Sequence, residues 1–233
     1  LPPVRPSDAN LDHRIESGGF VVLDANNGEI LALAGPVSES RPTGMTFSPF
    51  VYLTAFAQGY SPGSMVLDIP SDGEFTNGTP EEQAAQYYGP MRVRTALANG
   101  YKSASDRIQS LMGVDSVERT ARSMGVASAA YDTQEYRESG DLDWEASLMD
   151  LTSAYAVLAN QGTMVGELSP VNGTARNPLQ PSIFSTIEDG ARRSTDSFDP
   201  EQKTVLSAKL ASLMTVVLTD ETARRSTVGR ATS

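Results

Sequence analysis

The segment "RPTGMTFSPF", Arg41 to Phe50, carries two hydroxyls, Thr46 and Ser48, where an apolar run begins. A serine or threonine in the first turn of a helix can attack an acyl carbon when a base stands within hydrogen-bond reach. The chain has one histidine, His13, in a polar N-terminal stretch, so a Ser-His-Asp triad would have to recruit it from there. A surface histidine is the simpler reading. Lys102 is another base that Ser48 could meet. The plain counterpart is that Ser48 bonds the helix backbone and Lys102 is solvated or paired with an acid. Thr46 is the alternative nucleophile, but it lies about 100° round the helix from Met45, so the two should not face the same pocket.

Carboxylates suggest a second chemistry. Asp72, Glu74, Glu81 and Glu82 lie in a polar stretch, and Asp141, Asp143 and Glu145 precede a helix. Paired carboxylates hydrolyse glycosides. Nothing in the spacing selects a pair, and a solvated acidic loop explains them. Trp144 beside them reads as a packing anchor rather than a sugar platform. Cysteine is absent, which excludes disulfides and thiol catalysis. With one histidine as well, no metal and no cofactor are expected. A formal charge of −11 argues against a nucleic-acid surface.

The 233 residues suffice for one large domain or two small lobes. No segment approaches about 18 consecutive apolar residues, so no membrane span is expected. No charged-then-apolar leader opens the chain. Residues 1–17 read as a linker or lead-in and 18–233 as the domain.

The elements that must position the hydroxyls can be read from periodicity. Phe20–Leu23 and Ile30–Ala34 flank Asn26-Asn27-Gly28, which predicts a β-hairpin. Its apolar density predicts cover on both faces. Phe47, Phe50, Val51 and Phe56 predict a helix, with Pro49 in its first turn and an end at Gln58-Gly59. Residues 60–90 predict a long irregular stretch. Helices are predicted at Met91–Asn99, at Ser103–Met112, after Asp115 as N-cap with Gly125 as the stop, and at Ser147–Gln161. The last of these places Leu148, Leu151, Tyr155 and Leu158 on one face. Pro181–Ile187 reads as a short strand. Asp199-Pro200-Glu201 reads as the cap and first turn of a helix carrying Leu206, Leu210, Leu213 and Val217. The Asn-Gly-Thr sequons at Asn77 and Asn172 read as chance matches.

Four stretches then point one way. "FVVLDANNGEILALAG", "RPTGMTFSPFVYLTAFAQGYSPGSMVLDIP", "YGPMRVRTALANGYKSASDRIQSLMGVDSVERTARSMGV" and "LMDLTSAYAVLANQGTMV" occur in that order. Each resembles a segment of the transpeptidase domain of class A penicillin-binding proteins, in the serine β-lactamase/transpeptidase-like superfamily. The resemblance implies an α+β fold, with a helical lobe and a partial antiparallel sheet that includes the N-terminal hairpin, its later strands expected to be missing from this chain. It also implies a serine acyl-transferase that cross-links peptidoglycan stem peptides and is acylated by β-lactams.

The implied site departs from the family pattern. Where the family reads Gly-Ser-Ser-Phe-Lys-Pro-Phe, this chain reads Gly44-Met45-Thr46-Phe47-Ser48-Pro49-Phe50. Met45 stands at the nucleophile position, and a thioether cannot form an acyl ester. Ser48 stands at the lysine position, and a hydroxyl is a poor base near neutral pH. In the second motif Gly100 stands for the serine and Lys102 for the asparagine. The third motif, Lys-Thr-Gly, is not found. Either the chain stops before that strand or "GRATS" is its remnant.

The expectation is therefore a degenerate, non-catalytic transpeptidase-like domain. It would serve as a scaffold or interaction module in a cell-envelope assembly, outside the cytoplasm. The alternatives are an active or altered D,D-transpeptidase, with Thr46 or Ser48 as a rescue nucleophile, and a non-catalytic binder of peptidoglycan peptides. The expected partner is another envelope chain, or a segment outside this sequence, that completes the sheet at an open strand edge.

Overall fold

Asn26-Asn27-Gly28 turns the chain between β1 (Phe20–Leu23) and β2 (Ile30–Ala34), an antiparallel pair as predicted. The computed structural model describes residues 17–70, 87–131, 143–168, 179–182, 186–188, 194–197 and 199–224. The hairpin is not covered on both faces, which corrects the sequence expectation: Phe20 is 54% and Leu31 59% exposed. Apolar density alone cannot say which elements pack on a strand pair. Here the register also slips between Val22 and Leu23, a local irregularity that re-aims side chains.

β3 (Ser40–Pro42) leads into a 3₁₀ turn, Gly44–Phe47, and then α1 (Ser48–Ala57). Every residue from Ser48 to Phe56 is buried. A helix apolar on all sides belongs at the centre of a helical lobe. Pro49 is tolerated because the first turn of a helix has no internal partner for its missing N–H.

The stretch predicted to be irregular contains β4 (Met65–Asp68), which pairs with β5 (Gly89–Arg92). The helix predicted from Met91 therefore begins later, as α2 (Val93–Asn99). Met91 and Arg92 are held in the ribbon opposite Val66 and Met65. α3 (Lys102–Met112) and α4 (Val114–Ser123) follow. Gly113, at φ +80, occupies the N-cap of α4, so Asp115 is a first-turn acid and not the cap. It still faces the positive end of the helix dipole.

β6 (Ala130–Tyr131) and β7 (Trp144–Ser147) form a three-stranded sheet with β3, in the order β3-β7-β6. α5 (Leu148–Ala159) is capped by Ser147, whose hydroxyl oxygen accepts from the Asp150 N–H. Its buried side is Ala154, Val157 and Leu158, while Leu148 is exposed. Leu151 and Tyr155 are partly buried and pack against the core with Leu158, so of the predicted stripe Leu148 alone is exposed.

β8 (Thr163–Leu168) is the middle of a second three-stranded sheet, between β9 (Leu179–Gln180) and β12 (Glu201–Thr204). β10 (Thr186–Glu188) pairs with β11 (Ser194–Ser197). Thus the strand predicted over Pro181–Ile187 is replaced by β9 before it and β10 overlapping its end. The helix predicted from Asp199-Pro200-Glu201 is overturned as well. Residues Glu201–Thr204 pair with Gly166–Thr163, and α6 (Ala208–Leu218) starts after its own cap, Ser207. The backbone of Val205 and Leu206 donates to the Gly162 carbonyl, leaving no freedom for an earlier start. α7 (Glu221–Arg224) closes the described chain.

One core joins these elements. α1 is in contact with α2, α3, α4 and α6, and Phe50, Tyr52, Leu53, Ile108, Val117 and Met214 are fully buried. Among the described residues, no helix is long and apolar enough to cross a membrane.

Candidate functional site: the start of the central helix

Trp144 fixes the start of α1. The Thr43 N–H and hydroxyl both donate to the Trp144 carbonyl at 2.8 Å. The Phe47 ring stacks on the Trp144 indole at 4.3 Å between centroids, with 13° between planes. The indole N–H donates to Gln109 Oε1 at 2.7 Å inside the core. Trp144 is only 4% exposed, so it has no free face for a sugar ring. From the other side the Tyr155 phenol donates to the Thr46 carbonyl at 2.8 Å. Burial pushes that phenol up to about 12.

On this held turn the side chains part company. Met45 is half-buried and points to Gly100, where an added Cβ would stand 3.6 Å from Met45 Cγ. Gly100 ends α2 in the left-handed region, at φ +66. Ser48 is 6% exposed, and its hydroxyl donates to the Met45 carbonyl at 2.8 Å. Lys102 opens α3, is exposed, and pairs with Asp106 at 3.1 Å one turn on. Thr46 is exposed, and its hydroxyl donates to the Thr43 carbonyl at 2.5 Å. It lines a groove of about 340 Å³ with Gly18, Arg41, Pro42, Leu148 and Leu151. Met45 does not line that groove.

Beneath Ser48, one turn along α1, lies Tyr52, which sequence reading did not single out. Its phenol is held neutral by burial first, and then by the carboxylates of Asp106 and Asp68. Asp68 is itself buried and accepts the Tyr88 N–H at 3.0 Å. The signal in the sequence was the four-residue spacing from Ser48, which puts Tyr52 on the same helix face.

Among the described residues no group of His, Cys, Asp and Glu could hold a metal ion. Asp143 and Glu145 flank Trp144. His13, Asp72, Glu74, Asn77, Glu81, Glu82, Asp141 and Asn172 lie outside the described residues. The geometry offers a hydroxyl bound to a backbone carbonyl and a thioether on a glycine. Neither is a poised nucleophile–base pair.

A family model described as the penicillin binding protein transpeptidase domain matches residues 18–233. The chain belongs to that family. Penicillin-binding protein 1A of Neisseria meningitidis serogroup A is 29% identical over 187 residues, which is 71% of this chain and 23% of the relative. The chain thus spans less than a quarter of the length of that curated relative. Two solved structures share the fold. Penicillin-binding protein PonA1 of Mycobacterium tuberculosis matches at TM-score 0.66 and 18% identity, over 85% of this chain and 54% of that one. Penicillin-binding protein 1A of Haemophilus influenzae matches at 0.67 and 19%, over 89% and 35%.

Proposed function

We propose that this chain is a transpeptidase-like domain of a penicillin-binding-protein type that performs no acyl transfer. It acts as a scaffold or interaction module in a cell-envelope assembly, outside the cytoplasm, with residues 1–17 as a lead-in. The observation that carries this reading is Met45. It stands where the family places its nucleophile, and its side chain rests on Gly100, where the family places a second serine. Ser48, at the position of the family lysine, gives its proton to a backbone carbonyl. Acyl transfer needs a hydroxyl whose proton a base can take, and the opposed positions here supply a thioether and a glycine.

The test is incubation of the intact chain with a fluorescent penicillin, followed by denaturing electrophoresis and mass spectrometry. No covalent label is expected. Labelling that disappears in Ser48→Ala or Thr46→Ala would establish an altered acyl-transferase instead.

A second reading has its own support in the groove of about 340 Å³ beside Thr46. That groove would admit a peptidoglycan peptide reversibly, without chemistry. Heat on titration with stem peptides, reduced by Leu151→Arg, favours it; no heat at millimolar peptide counts against it. The scaffold reading has a further motive in β1, whose exposed Phe20 and Val22 give another envelope chain, or a segment outside this sequence, an apolar strand to cover.

A further inference from the structure

The β4–β5 ribbon has two unlike faces. Residues opposite each other across antiparallel strands share a face. The pairs Val66–Met91 and Asp68–Gly89 turn inward, with Val66 in the core and Met91 packed against it. The pairs Met65–Arg92 and Leu67–Pro90 turn outward, and all four residues are exposed, Met65 at 61%. The solvated face of an antiparallel pair is ordinarily polar. This one carries three apolar residues and a single guanidinium.

The ribbon is fixed from beneath. The Tyr88 N–H, just before β5, donates to buried Asp68 at 3.0 Å, and the exposed Tyr88 ring stacks on Tyr101 at 4.6 Å between centroids. Just past β4, the Arg107 guanidinium donates to the Pro70 carbonyl at 2.9 Å. A face held in this way loses little further order on binding. Arg92 has no hydrogen bond and no acidic partner among the described residues, whereas Arg41, Arg94 and Arg122 each meet a carboxylate.

The same geometry selects the occupant. The Val93 N–H donates to the Ser64 carbonyl, so the alternation of ladder bonds turns the Pro90 nitrogen to the outer edge of β5. Pro90 has no N–H, and that of Tyr88 is taken by Asp68, so an added strand would find few donors along β5. Ribbon-on-ribbon pairing of two copies also fails, because this face holds no acid. Both Arg92 groups would be covered and left unpaired, which is costly. Met65 and Leu67 stand about 7 Å apart along β4, close to the roughly 6 Å between residues four apart on a helix.

We propose that the outer face of the β4–β5 ribbon docks an amphipathic helix of another protein chain. Two apolar side chains one turn apart lie on Met65 and Leu67, and a carboxylate beside them pairs with Arg92. The chain's charge of −11 favours a helix whose remaining surface is basic. The proposal rests on the reading of this chain as an interaction module and gives that module a surface.

The test uses the intact chain and a lysine-rich helical peptide of about 18 residues, long enough to hold a helix. The peptide has two leucines four residues apart and one glutamate beside the first; a control carries glutamine in place of the glutamate. Calorimetry measures affinity, and the Met65 methyl resonance locates the peptide. The glutamate peptide should bind about fivefold more tightly than its control and shift the Met65 methyl. Non-specific attraction to an acidic chain would favour the control, which is the more basic of the two, so the order of affinities is decisive. Arg92→Gln should erase the preference, and Leu67→Ser should weaken both peptides. Equal or reversed affinities, a preference that survives Arg92→Gln, or no Met65 shift at millimolar peptide overturns the proposal. Sedimentation with phosphatidylglycerol vesicles that Leu67→Ser abolishes would assign the face to a lipid surface instead. Self-association abolished by the same substitution would assign it to a second copy. A covalent penicillin label would sink the non-catalytic reading and leave these affinities as they are.

Discussion

The Met45 side chain lies on Gly100, with 3.6 Å between Met45 Cγ and the point where a Cβ at position 100 would be. The two residues come from different elements, the 3₁₀ turn before α1 and the end of α2. The fold thus sets a thioether against a bare backbone at this point. Gly100 is required by its own conformation as well as by its neighbour. At φ +66, any side chain with a Cβ is strained. Gly100→Ser should cost about 1 kcal/mol, read as a lower urea midpoint with an unchanged slope.

On the reading proposed above, a serine and a lysine placed at positions 45 and 48 should not create acyl-transfer chemistry. Met45→Ser combined with Ser48→Lys leaves Gly100 and Lys102 unchanged. Mass spectrometry after exposure to a β-lactam should find no adduct. An adduct would mean that the remaining cleft still orients the acyl group well enough for attack.

Trp144 is the one tryptophan of the chain, and its indole N–H serves buried Gln109. Trp144→Phe keeps a ring against Phe47 but leaves the Gln109 oxygen without that donor. A cost of about 1–3 kcal/mol is expected, measured by circular dichroism during chemical denaturation. Wild-type tryptophan emission should report the same transition, since the indole leaves its stack as the core opens.

Stability should fall with acid at one identifiable pair. Asp220 receives hydrogen bonds first from Arg94 and then from the Ala223 N–H, which hold its carboxyl below the usual range. A carboxyl with a depressed folded pKa stabilises above its unfolded value, about 4, and loses that contribution as pH falls through the folded value. Wild type should therefore exceed Asp220→Asn in stability at neutral pH, and the difference should shrink below about pH 4. Paired urea curves across that range would show it; a constant gap would mean that the contact is not electrostatic.

The exposed face of the hairpin should govern self-association rather than stability. Phe20 and Val22 alternate along β1 and both face solvent. Phe20→Ser with Val22→Thr should change unfolding free energy by no more than about 0.5 kcal/mol. Light scattering at high protein concentration should fall. Unchanged scattering would remove the apolar strand as the adhesive surface.

Much of this was legible residue by residue. The Asn-Asn-Gly turn, Pro49 in a first turn and Trp144 as an anchor are local chemistries, and they hold wherever the chain folds. The failures have one cause. Glu201–Thr204 reads as a helix start from its own residues, yet becomes a strand because β8 offers a ladder. Met91 and Arg92 stay extended because Val66 and Met65 pair with them. Leu148 is exposed although it shares a helical stripe with core-packed Leu151, Tyr155 and Leu158, because it stands in the first turn of α5.

The sequence by itself determined which side chains stand at the positions read above as motif positions, Met45, Ser48, Gly100 and Lys102. It also determined the central helix, because a run with no polar face can only be buried. Tertiary structure alone decided that Met45 meets Gly100, that Thr46 looks into a separate groove, and that Tyr52 sits neutral beside Asp68 and Asp106. These are contacts between elements distant in the chain. Their geometry depends on how helices and strands pack, which local periodicity does not encode.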